Sequence, residues 1–220
     1  MKSKASAPGK VILFGEHFVV YGTGAILCSI DKRVTVIAEL TKKNEISITS
    51  DIGTLTLKPN MPISKISSPL KPFYFLANKF LQTQAQKNGI KIKIKSDIPE
   101  GAGLGSSSAC CVAGAAAISK LFTTKSRKEI LDLAIEAEKT IFQNTSGADC
   151  TVCTYGGIIE YNKDKKFNKI KSNFDFDLVI ANSKIKHSTE SVVSKVRKFR
   201  EENEDEFLRL CREESKLIED

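Results

Sequence analysis

The sequence of 220 residues is poor in the residues that build metal and redox sites. It contains two histidines and no tryptophan. Its six cysteines include a single C-x-x-C pair, Cys150 and Cys153. A zinc site needs a second such pair or histidines at ligand spacing, and His17 and His187 do not supply them. We therefore expect no zinc site, and we expect the cysteines to be reduced, as in a cytosolic protein.

Long apolar segments are also missing. No stretch reaches the ~18 consecutive apolar residues that a membrane-spanning helix needs. The N-terminus is basic, but Gly15 and Glu16 interrupt its apolar run early, which is unlike a secretory signal peptide. The sequence therefore predicts a cytoplasmic protein with no membrane partner.

The chain carries more positive than negative charge. Lys and Arg number 34 against 26 Asp and Glu, a formal net charge of +8, which suits anionic ligands such as nucleotides. The basic residues are scattered, however, and in the segment GIKIKIKS they alternate with isoleucines as in a strand with one solvated face. Because basic residues are not clustered with aromatic ones, an RNA-binding module is the weaker alternative, and we predict no nucleic-acid partner.

Strand and helix patterns alternate along the chain, which indicates an α+β protein. β-Branched runs between residues 3 and 40 predict strands with a turn at Gly22–Gly24, and alternating segments predict a hairpin around Asp51–Gly53. Further strands are predicted from GIKIKIKS, GGIIEYN and FDFDLVIANS. Helices are predicted from the segments that begin SSPLKPFYF, SSACCVAG, SRKEILDL, STESVVSK and DEFLRLCR.

A glycine-rich loop is the most distinctive local feature. The stretch PEGAGLGSSSA places three glycines at alternate positions and then three serines, between a predicted strand and a predicted helix. Glycines let the backbone approach a ligand closely, and a helix N-terminus attracts phosphate. The residues do not fit a P-loop, which has a lysine before the hydroxyl, or the dinucleotide fingerprint. The stretch predicts either a phosphate-binding loop or a serine N-cap behind a flexible turn.

Acidic and basic residues elsewhere are candidates for chemistry beside such a loop. Glu138 has apolar neighbours on its predicted helix, so we expect it to face inward, as a structural salt bridge or as a magnesium ligand. Asp149 follows a turn, where it is either a local turn residue or a positioned acid or base. Lys10 is predicted to lie in a tight turn between strands. Glu16 and His17 end the next apolar run and need polar partners.

Several of these segments together resemble the GHMP kinases, and among them most closely the mevalonate kinases. The segments are APGKVILFGEHFVVYG, PEGAGLGSSSA and EAEKTIFQNTSGADC, and KHSTESVVSKVR is similar to the opening of the family's C-terminal domain. The resemblance implies a two-domain fold. An N-terminal domain of mixed sheet and helices would cover residues 1–170. A ferredoxin-like α/β domain would begin in residues 171–220 and be only partly present, because no glycine follows Gly157 to form the family's third glycine-rich motif.

The resemblance also implies an activity with its cofactor. It implies phosphorylation of mevalonate to 5-phosphomevalonate, in isoprenoid precursor synthesis, with ATP as co-substrate. Another GHMP kinase reaction, on phosphomevalonate or homoserine, is the alternative, and a homodimer is left open. Mg²⁺ would be held by Ser107 and Glu138. The residues implied to bind the nucleotide are Pro99, Gly101, Ala102, Gly103, Leu104, Gly105, Ser106, Ser107 and Ser108.

Catalytic and substrate-binding residues follow from the same resemblance. Asp149 would be the catalytic base and Lys10 its partner, and both would contact mevalonate together with Glu16 and His17. Ser108 occupies a position where the family usually has alanine, a mild change that we expect to be tolerated. The proposed set agrees with the general needs of phosphoryl transfer, which depends on positioning and on neutralising charge.

Overall fold

One mixed sheet forms the centre of the computed structural model, which describes residues 1–84, 88–162, 166–171, 177–182 and 189–219. The strand order is β4-β3-β5-β2-β6-β7, and β1 pairs with β2. Only β3 and β5 run parallel; every other pair is antiparallel. The strands are β1 (Lys2–Phe14), β2 (Ala25–Thr41), β3 (Ile46–Ser50), β4 (Gly53–Leu57), β5 (Gly89–Ser96), β6 (Ile158–Asn162) and β7 (Lys166–Ile170).

Helices follow the strands in two groups. In the first group, α1, α2 and α4 pack on the sheet and α3 packs on these three helices, whereas the last two helices contact each other. None of the helices in the described ranges is long and apolar enough to cross a membrane. The helices are α1 (Lys71–Leu81), α2 (Ser106–Ser119), α3 (Arg127–Glu138), α4 (Ala148–Tyr155), α5 (Thr189–Glu202) and α6 (Glu204–Glu219).

Helix α2 lies at the centre of the helical layer. It packs against β1, β2 and the three helices α1, α3 and α4, so most of its residues are buried. This explains its sequence, SSSACCVAGAAAIS, because mostly small side chains fit a helix that is surrounded on several sides. At Gly114 an added Cβ would lie 2.8 Å from Cε1 of Phe73, in α1.

Gly114→Ala tests this close packing. Helix propensity alone predicts that alanine stabilises the helix by about 1 kcal/mol relative to glycine. We expect the opposite result, a loss of about 1–3 kcal/mol in the free energy of unfolding, because the methyl group overlaps the buried ring of Phe73. Urea unfolding of the two proteins measures the difference. A more stable variant would show that α1 moves away at no cost.

The sequence predicted most of these elements. The hairpin, the strand before the glycine loop and the helix after it are confirmed. The strand predicted from FDFDLVIANS is wrong for the part that the structure describes, since residues 177–182 form no strand. They join no strand of the sheet, and Val179 is 92% exposed. The apolar pattern is that of a strand, but a strand needs a partner for its backbone groups. Residues 174–176 and 183, and the start of KHSTESVVSKVR with His187, lie outside the described residues.

Candidate active site

Lys10 lies inside strand β1, and the turn predicted for it from the sequence is wrong. The Pro8-Gly9 pair marks an irregularity in the pairing of β1 with β2, where the register shifts. Proline and glycine are typical of turns, but within sheets they also mark bulges. The backbone N–H of Lys10 donates to the carbonyl of Leu104 at 3.0 Å, which joins β1 to the glycine-rich loop.

The glycine-rich loop has a backbone that only glycine adopts easily. Gly101, Gly103 and Gly105 have φ values of 68°, 73° and 71°. A Cβ at Gly101 or Gly103 would meet nothing within 4 Å, so open space borders the loop there. A Cβ at Gly105 would lie 2.7 Å from Cγ of Lys10. Glycine at this position therefore lets the Lys10 side chain pass beneath the N-terminus of α2.

Lys10 and Asp149 form an ion pair next to this helix N-terminus. Their Nζ and Oδ2 atoms are 3.2 Å apart, and the side chain of Lys10 is 6% exposed. Asp149 lies in the first turn of α4, where the helix dipole favours a negative charge. Gly147, with φ of 83°, caps this helix and turns the chain into it. The geometry fixes one lysine and one carboxylate at the junction of β1, the loop and α4.

The environment of Asp149 acts on its proton affinity in two opposite ways. Burial of the carboxyl raises its pKa, the charge and hydrogen bond of Lys10 lower it, and the charge of Glu16 raises it. The Asp149 side chain is nevertheless 32% exposed, so the carboxyl is enclosed by protein yet open on one side. A carboxyl with such neighbours can accept a proton from a bound alcohol.

Glu138 is buried at the C-terminal end of α3, as its helical position predicted. It is 3% exposed. Ser108 donates a hydrogen bond to Oε1, and Thr145 Oγ1 donates to Oε2 at 2.6 Å. Burial raises the pKa of this carboxyl, the hydrogen bonds from Ser108 and Thr145 lower it, and the negative charge of Asp149 raises it. The two acidic groups are therefore close enough to influence one another.

The surroundings of Glu138 fit a cation supplied from outside the chain. Among the described residues, no lysine, arginine or histidine forms an ion pair with it. The described residues also contain no cluster of three or more His, Cys, Asp or Glu that could hold a metal. Mg²⁺ is usually bound by one or two carboxylates, with phosphates and water completing its shell. A single buried carboxylate beside the glycine-rich loop suits that ion.

Ser108→Ala is expected to weaken the binding of Mg²⁺ at Glu138. Loss of the hydroxyl donor raises the pKa of Glu138 further, so the carboxylate becomes protonated at a higher pH than in the wild type. Mg²⁺-dependent binding of ATP should then be lost at a higher pH, with an affinity about 2- to 10-fold weaker at mildly acidic pH.

The matched control is Ser119→Ala, which removes another buried serine hydroxyl from the same helix. The Ser119 hydroxyl donates to the carbonyl of Ala116, within its own helix. Calorimetric titrations with Mg·ATP over a pH series measure the effect. If Ser108→Ala and Ser119→Ala give the same pH profile, the Ser108 hydroxyl does not act on Glu138.

The remaining predicted site residues differ in how directly they contact the Lys10–Asp149 pair. Leu104 and Gly105 contact Lys10, and Pro99 is exposed at the start of the loop. Glu16 is exposed, and its charge acts on Asp149. The structure thus brings the lysine, both central acids and the loop together. Of the remaining loop residues, Ser108 is buried. The others are half-buried or exposed, and they are Gly101, Ala102, Gly103, Ser106 and Ser107.

His17 is the predicted site residue that the structure joins least to the others. It is half-buried, has a left-handed φ of 70° and precedes the short 3-10 helix Phe18–Tyr21. In the described part of the chain, no hydrogen bond or ion pair links it to Lys10 or Asp149. The position of His17 relative to Lys10 and Asp149 therefore depends on the conformation of the loop between β1 and β2, which carries it.

Two hydrogen bonds to Glu138 were missed at the level of sequence. Thr145 was passed over as part of a turn, and Ser108 was predicted to bind the nucleotide, as a tolerated replacement of alanine, with no role at Glu138. Both donate to Glu138. The signal was present, because a carboxylate predicted to be buried needs donors and both residues carry hydroxyls next to motif residues. Gly9 was missed as well: an added Cβ there would lie 2.8 Å from the carbonyl oxygen of Leu104.

A separate open groove of about 570 Å³ lies away from these residues. It runs along the irregular pairing of β1 with β2 and the end of α4, with Arg33, Arg127 and Tyr155 in its lining. None of the predicted site residues lines it. We place the chemistry at the Lys10–Asp149 pair, because the groove lacks the lysine, the buried acid and the glycine-rich loop.

Comparisons with known proteins identify the family. Residues 72–157 match the profile of the GHMP kinases N-terminal domain. The chain is 37% identical to the mevalonate kinase of Pyrococcus furiosus, covering 100% of this chain and 69% of that protein. It is 35% identical to the enzyme of Thermococcus sibiricus, covering 92% and 63%.

Solved structures agree with the sequence relatives. Methanococcus jannaschii mevalonate kinase superposes with a TM-score of 0.79 at 30% identity, covering 100% of this chain and 72% of that one. The L. major mevalonate kinase in complex with R-mevalonate gives 0.71 at 26% identity, covering 98% and 67%. This chain thus spans roughly two thirds of the length of its relatives and has the α+β fold of their matched part. It belongs to the mevalonate kinases, a family of ATP-dependent GHMP kinases.

Proposed function

We propose that this protein transfers the terminal phosphoryl group of ATP to the hydroxyl of mevalonate, producing 5-phosphomevalonate and ADP. The observation that carries the proposal is the Lys10–Asp149 ion pair, 3.2 Å long, packed against Gly105 at the start of α2. One acid, one lysine and a phosphate-binding loop meet there. Family membership supplies the substrate, since the relatives are named for mevalonate.

Asp149 and Lys10 have different roles in the reaction: Asp149 accepts the proton, and Lys10 stabilises negative charge. Asp149 accepts the proton of the mevalonate hydroxyl, whose oxygen attacks the terminal phosphorus while the bond to the leaving ADP oxygen breaks. Burial raises the pKa of Asp149, and the charge and hydrogen bond of Lys10 oppose that rise and favour the ionised form that accepts the proton. The ammonium group of Lys10 also stabilises negative charge on the reacting oxygens.

The glycine-rich loop and Glu138 hold the nucleotide. Pro99 and residues 101–108 surround the phosphates, which bind to backbone N–H groups of the loop and to the dipole of α2, where no acidic side chain lies in the first turn. Glu138 and the Ser107 hydroxyl bind the magnesium ion, with Ser108 and Thr145 fixing the carboxylate. When bound, Mg²⁺ neutralises charge on the phosphates.

Mevalonate is proposed to lie against Asp149, Lys10, Glu16 and His17. The loop between β1 and β2 carries the last two residues, and the charge of Glu16 already acts on Asp149. We place the reaction in the cytoplasm, and we place the boundary between an N-terminal and a C-terminal domain near residue 170.

A substrate panel tests the proposed function. The protein is incubated with Mg·ATP and, in turn, mevalonate, phosphomevalonate or homoserine, and ADP release is measured together with the phosphorylated product. We expect product from mevalonate alone. Phosphorylation of another alcohol but not of mevalonate would contradict the substrate, and ADP release without any phosphorylated alcohol would contradict the reaction.

A further inference from the structure

The loop between β1 and β2 has a strained shape that its own residues do not explain. Gly15 has φ of 84°, and an added Cβ there would lie 2.3 Å from the carbonyl oxygen of Gly24. His17 has φ of 70°, a backbone conformation that residues other than glycine rarely adopt. Such conformations persist where the surroundings hold them in place. The loop is residues 15–24, and it carries Glu16 and His17.

Helix α6 supplies these surroundings from the far end of the sequence. The backbone N–H of Gly15 donates to Oε1 of Glu214 at 2.6 Å, a bond between residues 199 positions apart. A hydrogen bond to a carboxylate is stronger than one between neutral groups. It fixes the peptide plane between Phe14 and Gly15, at the start of the loop and one residue before Glu16.

An aromatic cluster anchors the same helix on the loop. Phe207 is 2% exposed. Its ring centroid lies 5.8 Å from that of Phe18 and 4.9 Å from that of Tyr21, the latter in an edge-on arrangement. The guanidinium carbon of Arg200, from α5, lies 4.9 Å from the centre of the Tyr21 ring. Apolar burial and a cation over an aromatic ring thus hold the loop on its other side.

The sequence of α6 is amphipathic and predicts an apolar face that needs a partner sheet, made of Phe207, Leu210, Cys211, Leu217 and Ile218. The observed partner is different. The face rests on the loop, with Cγ2 of Ile218 3.3 Å from the Cβ position of Gly24. Leu217, which was assigned to that face, is 61% exposed and does not belong to it. The helix therefore packs against a loop that carries candidate substrate contacts rather than against a sheet.

We propose that α6 is a positioning element for the alcohol substrate, with Glu214 and Phe207 as its two positioning residues. This inference rests on the proposed function, because it names mevalonate as the ligand of the loop. Glu214 and Phe207 hold residues 15–24 in the conformation that presents Glu16 and His17 to mevalonate. They do not touch the nucleotide loop, so their effect is specific to the alcohol.

Two variants with matched controls test the proposal on the chain as it stands. Glu214→Gln weakens the bond to Gly15, and Phe207→Ala removes the aromatic anchor. Glu213→Gln and Leu208→Ala make the same chemical changes one residue away, where both side chains are exposed. Hydrogen exchange of the amides of residues 15–22 reports on the loop. Calorimetry gives the affinities for mevalonate and for a non-hydrolysable ATP analogue with Mg²⁺.

The two variants are expected to change the affinity for mevalonate but not the affinity for the ATP analogue. Glu214→Gln and Phe207→Ala should raise amide exchange in residues 15–22 and weaken mevalonate binding by about tenfold or more, with binding of the ATP analogue unchanged. The controls should behave as the wild type. Unchanged loop exchange in both variants would overturn the proposal, as would faster exchange with unchanged mevalonate affinity. A wild type that binds the ATP analogue but not mevalonate would instead overturn the proposed substrate, a distinct outcome.

Discussion

Asp149→Asn is expected to lower kcat for mevalonate phosphorylation by roughly 10²- to 10⁴-fold, the usual contribution of a general base. The amide keeps the size of the carboxyl and an oxygen facing Lys10, but it cannot take the proton of the alcohol. Affinity for Mg·ATP should change little, because the base acts mainly in the transition state. Steady-state kinetics and ATP titrations of the same samples measure both quantities.

The control for this variant is Asp132→Asn, which changes an exposed acid on α3. Its kcat and its ATP affinity should equal those of the wild type. A weaker affinity for Mg·ATP in Asp149→Asn, with kcat at saturating ATP preserved, would assign Asp149 to nucleotide binding and refute its role as the base.

Lys10→Met is expected to have the second large effect, a decrease in kcat of about 10²-fold or more together with a shifted pH profile. Methionine retains an apolar stem against Gly105 but removes the charge. Lys10 lowers the pKa of Asp149, so its loss raises that pKa. Since Asp149 acts in its ionised form, the acidic limb of the pH–rate profile moves to higher pH.

Lys79→Met provides the comparison for this charge change. Lys79 also pairs with a carboxylate, Glu136, but both side chains are nearly half exposed. Exposed ion pairs contribute about 0–1 kcal/mol, so this variant should keep the wild-type rate and pH profile. An acidic limb that stays in place in Lys10→Met would show that Lys10 does not set the proton affinity of Asp149.

The parts of the site that sequence could predict are those determined by local patterns. The alternating glycines and the following serines indicated a loop before a helix, and all three glycines have the left-handed backbone that such a loop requires. The 3.6-residue period placed Glu138 on the inward face of α3. Local spacing was sufficient in both cases, because each feature depends on residues close together in the chain.

The parts that sequence could not predict depend on contacts between distant residues. Pro8-Gly9 is typical of a turn, and only the pairing of β1 with β2 shows that it marks an irregular strand that leads into Lys10. The bond from Gly15 to Glu214 has no signal in either segment alone. Residues 177–182 have the composition of a strand, but strand formation depends on a partner that no local pattern reveals.

The central claim is that the glycine-rich loop, Glu138 and the Lys10–Asp149 pair form one site for a metal–triphosphate. Titration of the protein with ATP and Mn²⁺ in place of Mg²⁺, followed by NMR of the backbone amides, tests it directly. Line broadening by the paramagnetic ion should be strongest for residues 101–108, Glu138 and Asp149. Broadening centred on the groove of Arg33 and Arg127, or no binding of Mn·ATP at all, would contradict the account.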